Sequence, residues 1–313
     1  MYTTITKFKI PSILEDILKD LQKIGATPIL VGGSVRDYFL NIPIKDYDIE
    51  IFGINSLEII QNCLKKYGSV KLVGKSFGVL TLRVDEYDFD FALPRIEKKT
   101  GNTHQDFEVI TNANLSFKEA AIRRDFTINA IGYDFSKKEF LDPFNGINDL
   151  RNKTIKHIDD DTFIEDSLRV YRAVGFASRF DFKIEEKTKV LCKQIVLNDE
   201  LKYLPKERIY EELKKLFLKS SKPSIGFELI RELGILKYFP ELEVLINCIQ
   251  EPEYHPEGDV WIHTMMCLDE MARILKEENI KDEYKKLYLF YAILCHDFGK
   301  PFCTKEVNGK ITS

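Results

Sequence analysis

No stretch of this chain stays apolar long enough to cross a membrane: its longest unbroken apolar run, Leu287 to Cys295, is about half of the ~18 residues a span needs. No basic-then-apolar leader opens it. Its 6 cysteines include no C-x-x-C pair and no small scaffold to staple, so they read as reduced thiols of a cytoplasmic protein. No repeat, low-complexity tract or Gly/Ser linker interrupts the sequence. An excess of positive charge is missing too. With 46 Lys and Arg against 50 Asp and Glu the net charge is −4, and that total announces no nucleic-acid partner. What is present is length and core material. A chain of 313 residues, 44% hydrophobic and 31% charged, suffices for two or three domains and excludes wholesale disorder.

The first third alternates β-rich runs with helical stretches. Pro11 opens an amphipathic segment that Gly25 ends, and Ile29 to Val31 forms an apolar strand running into Gly32-Gly33. Further strands are expected at 46–52, 70–73, 79–84 and 87–93, with a helix from Ser56 to Tyr67, the pattern of a mixed α/β sheet domain. From Arg95 to Ser116 the sequence turns polar and predicts a long mobile loop. Past Phe117 the strands nearly stop, apart from a short pair around 131–141. Apolar residues then recur at three- and four-residue spacing over 161–179, 185–194, 206–218 and 225–236, so the second half is expected to be all-α.

The first chemical signal is Val31-Gly32-Gly33-Ser34-Val35-Arg36, a strand, two glycines and a helix start. Gly32 and Gly33 let backbone approach a phosphate, helix N–H groups favour an anion there, and Arg36 offers a charge-assisted contact. The G-x-G-x-x-G spacing of a dinucleotide site is absent. Further along, Asp46-Tyr47-Asp48-Ile49-Glu50-Ile51 places Asp46 and Asp48 on one strand face with Ile49 and Ile51 toward the core. Two adjacent carboxylates need a counter-ion. A pair of Mg²⁺ ions meets that need, and two metals clamping attacking and leaving oxygens is a known solution for nucleotidyl transfer. Asp90, in the alternating run Tyr87-Asp88-Phe89-Asp90-Phe91, supplies a third carboxylate from a neighbouring strand. The plainer alternative for this D-x-D is a solvated strand face.

These residues carry a resemblance. G-G-x-V-R-D followed by Lys45-Asp46-x-Asp48 resembles the class II tRNA nucleotidyltransferase and bacterial poly(A) polymerase family. The similarity continues through Arg123-Arg124-Asp125-Phe126-Thr127-Ile128-Asn129-Ala130, Asp142-Pro143 to Gly146, Glu165-Asp166-Ser167-Leu168-Arg169, and Glu207-Arg208-Ile209 with Glu212. It implies an α+β protein: a polymerase-β-like nucleotidyltransferase head over 1–135, a helical neck and body over 136–250 for base selection and tRNA binding, and a partial HD-like helical segment over 251–313. It implies nucleotide contact by Arg124. Asp166, Arg169 and Arg172, at i, i+3 and i+6, are expected on one helical face, where Arg donors and an Asp acceptor can imitate a template base for CTP and ATP. The bland reading of the same three is surface ion pairing. Between Arg151 and Lys222 basic residues outnumber acidic ones, which places an RNA backbone there in preference to the acidic remainder.

Tyr254-His255-Pro256-Glu257, then His263, then His296-Asp297 resembles the opening of an HD phosphohydrolase domain. The resemblance implies metal ligation by His263, His296 and Asp297, completed by a later Asp. None follows Asp297 before Ser313, so a second divalent metal would meet an incomplete set, and the segment reads as a fragment or a vestige. Taken together, the expected activity is CTP(ATP):tRNA nucleotidyl transfer that adds or repairs the 3′-terminal CCA with Mg²⁺. The alternatives are a poly(A) polymerase, a CC-only or A-only enzyme, an HD metal phosphohydrolase, and a non-catalytic RNA-binding module.

Overall fold

The computed structural model describes residues 8–74, 78–99 and 107–312. It divides into two compact units, 1–152 with 156–165, and 153–155 with 166–313.

The first unit is built on α1 (Ser12–Lys23), β1 (Thr27–Val31), α2 (Gly33–Phe39), β2 (Asp46–Phe52), α3 (Leu57–Leu64), β3 (Val70–Val73), β4 (Val79–Val84) and β5 (Tyr87–Ala92). It continues with β6 (Arg95–Lys99), β7 (Phe107–Thr111), α4 (Phe117–Ala121), β8 (Gly132–Asp134), β9 (Glu139–Leu141) and α5 (Gly146–Arg151). Seven strands form one sheet in the order β3-β4-β5-β2-β1-β8-β9, antiparallel throughout except for the parallel β2–β5 pair. The parallel pair sits at the centre. Strand β1 reads Thr-Pro-Ile-Leu-Val and buries four consecutive residues, because both sheet faces are covered there. Helix α1 supplies Leu14, Ile17, Leu18 and Leu21, all fully buried, at the i, i+3, i+4, i+7 spacing of one helical stripe. Each such side chain contributes about 1.5–3 kcal/mol of burial. Local caps fix the helix starts: Ser56 Oγ accepts from Ile59 N at the head of α3, and Ser116 and Glu119 form a reciprocal capping box on α4.

The long loop expected over 95–116 is corrected. Residues 95–99 and 107–111 pair as an antiparallel hairpin in register Arg95↔Thr111, Ile96↔Ile110 and Glu97↔Val109. Residues 100–106 lie outside the described residues. Ile96 and Ile110 are 43% and 52% exposed, so this ladder lacks the buried stripe that would have announced it. Its base is fastened by Asn112 N donating to Pro94 O (3.0 Å) and Ala113 N donating to Asn55 Oδ1 (2.9 Å).

The second unit begins at β10 (Thr154–Ile155); α6 (Asp160–Glu165) returns to the first unit. There follow α7 (Leu168–Phe180), β11 (Lys183–Ile184), α8 (Glu186–Leu197), α9 (Lys206–Lys219), α10 (Pro223–Glu232), α11 (Pro240–Glu243), α12 (Val260–Glu277), α13 (Glu283–Cys295), α14 (Lys300–Cys303) and a terminal hairpin, β12 (Lys305–Val307) and β13 (Lys310–Thr312). Its core is aromatic. Phe217 stacks on Phe290 with centroids 5.0 Å apart, and Trp261 is fully buried with Nε1 donating to Glu228 Oε1 at 2.6 Å. No helix among the described residues is long and apolar enough to cross a membrane. The single helix expected over 161–179 is interrupted between Glu165 and Leu168. Asp166 Oδ1 accepts from Leu168 N (3.2 Å), and this side-chain bond competes with the helical ladder at that point. Asp166 therefore precedes α7 and does not ride on its face, whereas Arg169 and Arg172 remain one turn apart on the helix.

Candidate active site

Strand pairing assembles the carboxylates. β1 runs antiparallel to β2 with Val31 opposite Asp48, and β5 runs parallel to β2 with Asp46 opposite Asp88 and Asp48 opposite Asp90. Residues in register on a parallel pair project from the same face, so Asp46, Asp48 and Asp90 converge. Asp46 and Asp48 are open to solvent, while Asp90 is half-buried with its Oδ1 fully covered and without a hydrogen-bond partner among the described residues. Although Asp48 keeps solvent-exposed surface, desolvation by the groups packed around its carboxyl pushes it up; Arg124 opposes this, and Asp90, Glu50 and Asp46 push it further up. Asp88 stands at the rim, 3.8 Å from Arg83.

Next to this face β1 ends in Gly32 at φ +70°, a conformation that disfavours any side chain. A Cβ there would also lie 3.1 Å from Arg124 Nη1 and 3.2 Å from Asp48 Oδ2. Gly32 thus lets the catalytic-type carboxylate and the arginine press against bare backbone, immediately before the N-terminus of α2. Gly32→Ala is expected to lower nucleotide incorporation roughly tenfold or more with a smaller effect on folding, because it displaces both side chains at once. Incorporation assays beside thermal melts check this; unchanged incorporation would show that the close approach has no function.

Glu50 escaped the sequence reading. It sits two residues beyond Asp48 on the same strand face, is 2% exposed, and its Oε1 accepts from Arg123 Nη2 (2.6 Å) and Arg124 Nη2 (2.9 Å). The signal was its place as the third acid of an every-other-residue series. Glu50 anchors the arginine that reaches Asp48. Arg36 is buried beside Gly33, where its guanidinium holds Asp37 Oδ1 and Asn129 Oδ1, the latter at 2.7 Å. Asn129 in turn donates to Asp125 Oδ1 (2.9 Å), and Thr127 Oγ1 donates to Asp149 Oδ2 (2.6 Å). Asp142 accepts from Gly146 N and Ile147 N, closing the start of α5. At Gly146 a Cβ would stand 2.2 Å from Thr127 O, so only glycine allows α5 to abut the Thr127–Asn129 turn. Motifs far apart in sequence are thereby knitted into one scaffold behind the carboxylates.

Within the helical unit, α9 touches the residues around the start of α7. Arg208 Nη2 lies 3.4 Å from Asp166 Oδ2, and Glu212 Oε1 is 4.0 Å from Arg172 Nη1 and 2.8 Å from Lys215 Nζ. The Arg172 guanidinium also covers the Phe176 ring at 5.2 Å. Sequence reasoning had quoted Arg208 and Glu212 without a role; each pairs with a residue of the expected base-reading set.

The three expected C-terminal ligands do meet. His296 Nε2 and His263 Nε2 are 3.3 Å and 4.0 Å from Asp297 Oδ2, which Lys300 Nζ also approaches to 2.9 Å. Asp259 caps α12 by accepting from Ile262 N (2.8 Å), and this fixes His263 in the first turn. Glu257 and Cys267, which the sequence reading did not select, flank His263 on either side.

A mixed sheet whose central parallel strands present a D-x-D and a third Asp beside a Gly-Gly turn defines a nucleotidyltransferase head. Residues 29–156 match the poly(A) polymerase head domain, and residues 181–246 match the probable RNA- and SrmB-binding site of polymerase A. The chain belongs to the family of class II tRNA nucleotidyltransferases and bacterial poly(A) polymerases. It is 37% identical over 283 residues to the multifunctional CCA protein of Mannheimia succiniciproducens, covering 89% of this chain and 64% of that protein. The corresponding protein of Haemophilus ducreyi is likewise 37% identical, with 89% and 65% covered. Among solved structures it resembles a CCA-adding enzyme with ATP (TM-score 0.66, 27% identity, 91% of this chain and 63% of the other). It also resembles the Thermotoga maritima CCA-adding enzyme complexed with tRNA (TM-score 0.67, 25% identity, 94% and 64%). The chain spans just under two thirds of the length of the curated relatives it matches.

Proposed function

We propose that the chain carries out CTP(ATP):tRNA nucleotidyl transfer, adding or repairing the 3′-terminal CCA. The observation that carries this reading is the convergence of Asp46, Asp48 and Asp90 beside the Gly32 turn. Hard carboxylate oxygens, one of them buried without a partner among the described residues, and an Asp48 carboxyl pushed up by desolvation and then by its acidic neighbours are the donor set that Mg²⁺ fits. Asp46 and Asp48 would hold it, and when bound it supplies charge neutralisation at the phosphate oxygens. In the reaction the RNA 3′-oxygen bonds to the α-phosphorus of the nucleotide, the bond from that phosphorus to the bridging oxygen breaks, and pyrophosphate departs. Asp90 is assigned to the 3′-hydroxyl, whose proton its carboxylate accepts. Gly32 and Gly33 present backbone to the triphosphate, Arg36 braces that turn, and Arg124, steered by Glu50, contacts the nucleotide. Asp166, Arg169 and Arg172 read the base, with Arg208 and Glu212 holding Asp166 and Arg172 in position. Basic residues of the helical unit attract the tRNA backbone. All 6 cysteines are free, in keeping with a reducing cytoplasm.

One experiment tests the whole reading. A tRNA lacking its 3′ end is incubated with the chain, Mg²⁺ and all nucleotides, and the products are sequenced. The expected product ends in CCA and grows no further. A homopolymeric A tail, CC alone or A alone would replace this reading with the corresponding alternative.

A further inference from the structure

The cluster on α12 and at the end of α13 holds a residue that no part of the HD resemblance supplies. Cys267 lies one helical turn after His263, and its Sγ is 3.5 Å from His263 Nε2. The ligand atoms of His263, Cys267 and His296 all lie within 4.8 Å of one another. We propose that Cys267 is a thiolate ligand of a tetrahedral metal site completed by His263, His296 and Asp297, and that this site takes zinc or a similarly soft divalent ion.

Three observations carry it. First, the spacings are those of a coordination shell. Zinc–nitrogen and zinc–oxygen bonds near 2.0–2.2 Å and zinc–sulfur bonds near 2.3 Å put tetrahedral ligand atoms about 3.3–3.7 Å apart. The Cys267–His263 distance of 3.5 Å and the His296–Asp297 distance of 3.3 Å already fall there, and the His263–Asp297 distance of 4.0 Å needs to close by only a few tenths of an ångström. Second, both imidazoles are oriented for it. His263 Nδ1 sits 2.6 Å from Glu257 Oε1 and His296 Nδ1 sits 2.6 Å from Ile293 O. Each acceptor requires the proton on Nδ1, which leaves the Nε2 lone pair facing the cluster, the arrangement of carboxylate– and carbonyl–histidine–metal relays. Third, Asp297 is 9% exposed, and its Oδ2 is buried and receives no hydrogen bond of proper geometry among the described residues. Lys300 Nζ stands 2.9 Å from that oxygen and also reaches Gln250 Oε1 at 2.6 Å. The ammonium therefore has a second acceptor to keep when a cation takes its place at Asp297.

The consequence is chemical. Two imidazoles and a carboxylate leave a fourth position for water and hydrolysis; a thiolate in that position closes the shell, favours a soft ion over Mg²⁺, and makes the site a clasp between α12 and α13. On binding, the thiol proton is released to solvent as the metal–sulfur bond forms.

Cobalt(II) added to the full chain tests this, because a thiolate ligand gives an intense near-ultraviolet charge-transfer band that nitrogen and oxygen ligands do not. The expected result is one equivalent bound with that band, the band abolished in Cys267→Ser while the weaker visible bands of bound cobalt persist, and both lost in His263→Ala. Zinc is expected to raise the melting temperature of the wild type, and to do so less for Cys267→Ser. Cobalt bound without the band, a band that survives Cys267→Ser, or no cobalt bound at all would each overturn the proposal. Cys267→Ser is nearly isosteric, and its circular dichroism spectrum without metal checks that it folds.

Discussion

Asp48→Asn is expected to reduce nucleotide incorporation roughly 10³-fold, about 4 kcal/mol of lost transition-state stabilisation, while the melting temperature stays level or rises. The two halves of that expectation have one cause. Asp48 faces Asp90 across the β2–β5 pair and shares its strand face with Asp46 and Glu50. Burial and those neighbours raise its pKa, so its charged form is disfavoured in the folded chain without metal, and removing the charge relieves the fold. Arg124 offsets only part of that cost. The asparagine keeps the shape and loses the ligand. Single-turnover incorporation and thermal melts, run in parallel with and without Mg²⁺, check both halves. Incorporation within a few-fold of wild type would remove the carboxylate column from the reaction, and a large fall in melting temperature would make Asp48 a structural residue.

The opposite pattern is expected two residues further along. Glu50→Ala is predicted to destabilise the head by about 3–5 kcal/mol, because it removes a buried carboxylate shared by two largely covered arginines, Arg123 and Arg124. For a unit of this size that is roughly 6–20 °C of melting temperature. Glu50→Gln keeps an acceptor oxygen and the shape, and should lose distinctly less stability yet still impair incorporation, since a neutral acceptor holds Arg124 less firmly in its place beside Asp48. Equal stability of all three proteins would show that the ion pair is energetically idle. On the proposed function, Asp48 and Glu50 divide the strand between chemistry and support.

Much of this was legible before the fold. Strands 46–52 and 79–84 fall where the alternation of apolar and polar residues puts them, because each packs one face against the core; strand 70–73 also falls in place, although its Leu72 and Val73 are exposed. The β6–β7 hairpin was not, because Ile96 and Ile110 face solvent and no buried stripe marks the pairing. The interruption at Asp166 was hidden for another reason. Periodicity registers apolar spacing and is blind to a side chain that bonds its own backbone two residues on. Glu50 looked like one more polar residue of a strand until Arg123 and Arg124, over seventy positions away, were found on its carboxylate. Cys267 belongs to no C-x-x-C pair, and only its i+4 relation to His263 marks it in the sequence.

The joint at Gly146 bears on inheritance. With no clearance between that residue and the Thr127 carbonyl, the stretch around Thr127 and the stretch that opens α5 have a single mutual fit. Neither can drift in shape alone, so the two must vary as a linked pair. A hybrid built by exchanging segments with a relative should keep both from the same parent, and a crossover point between residues 130 and 142 is the one to avoid.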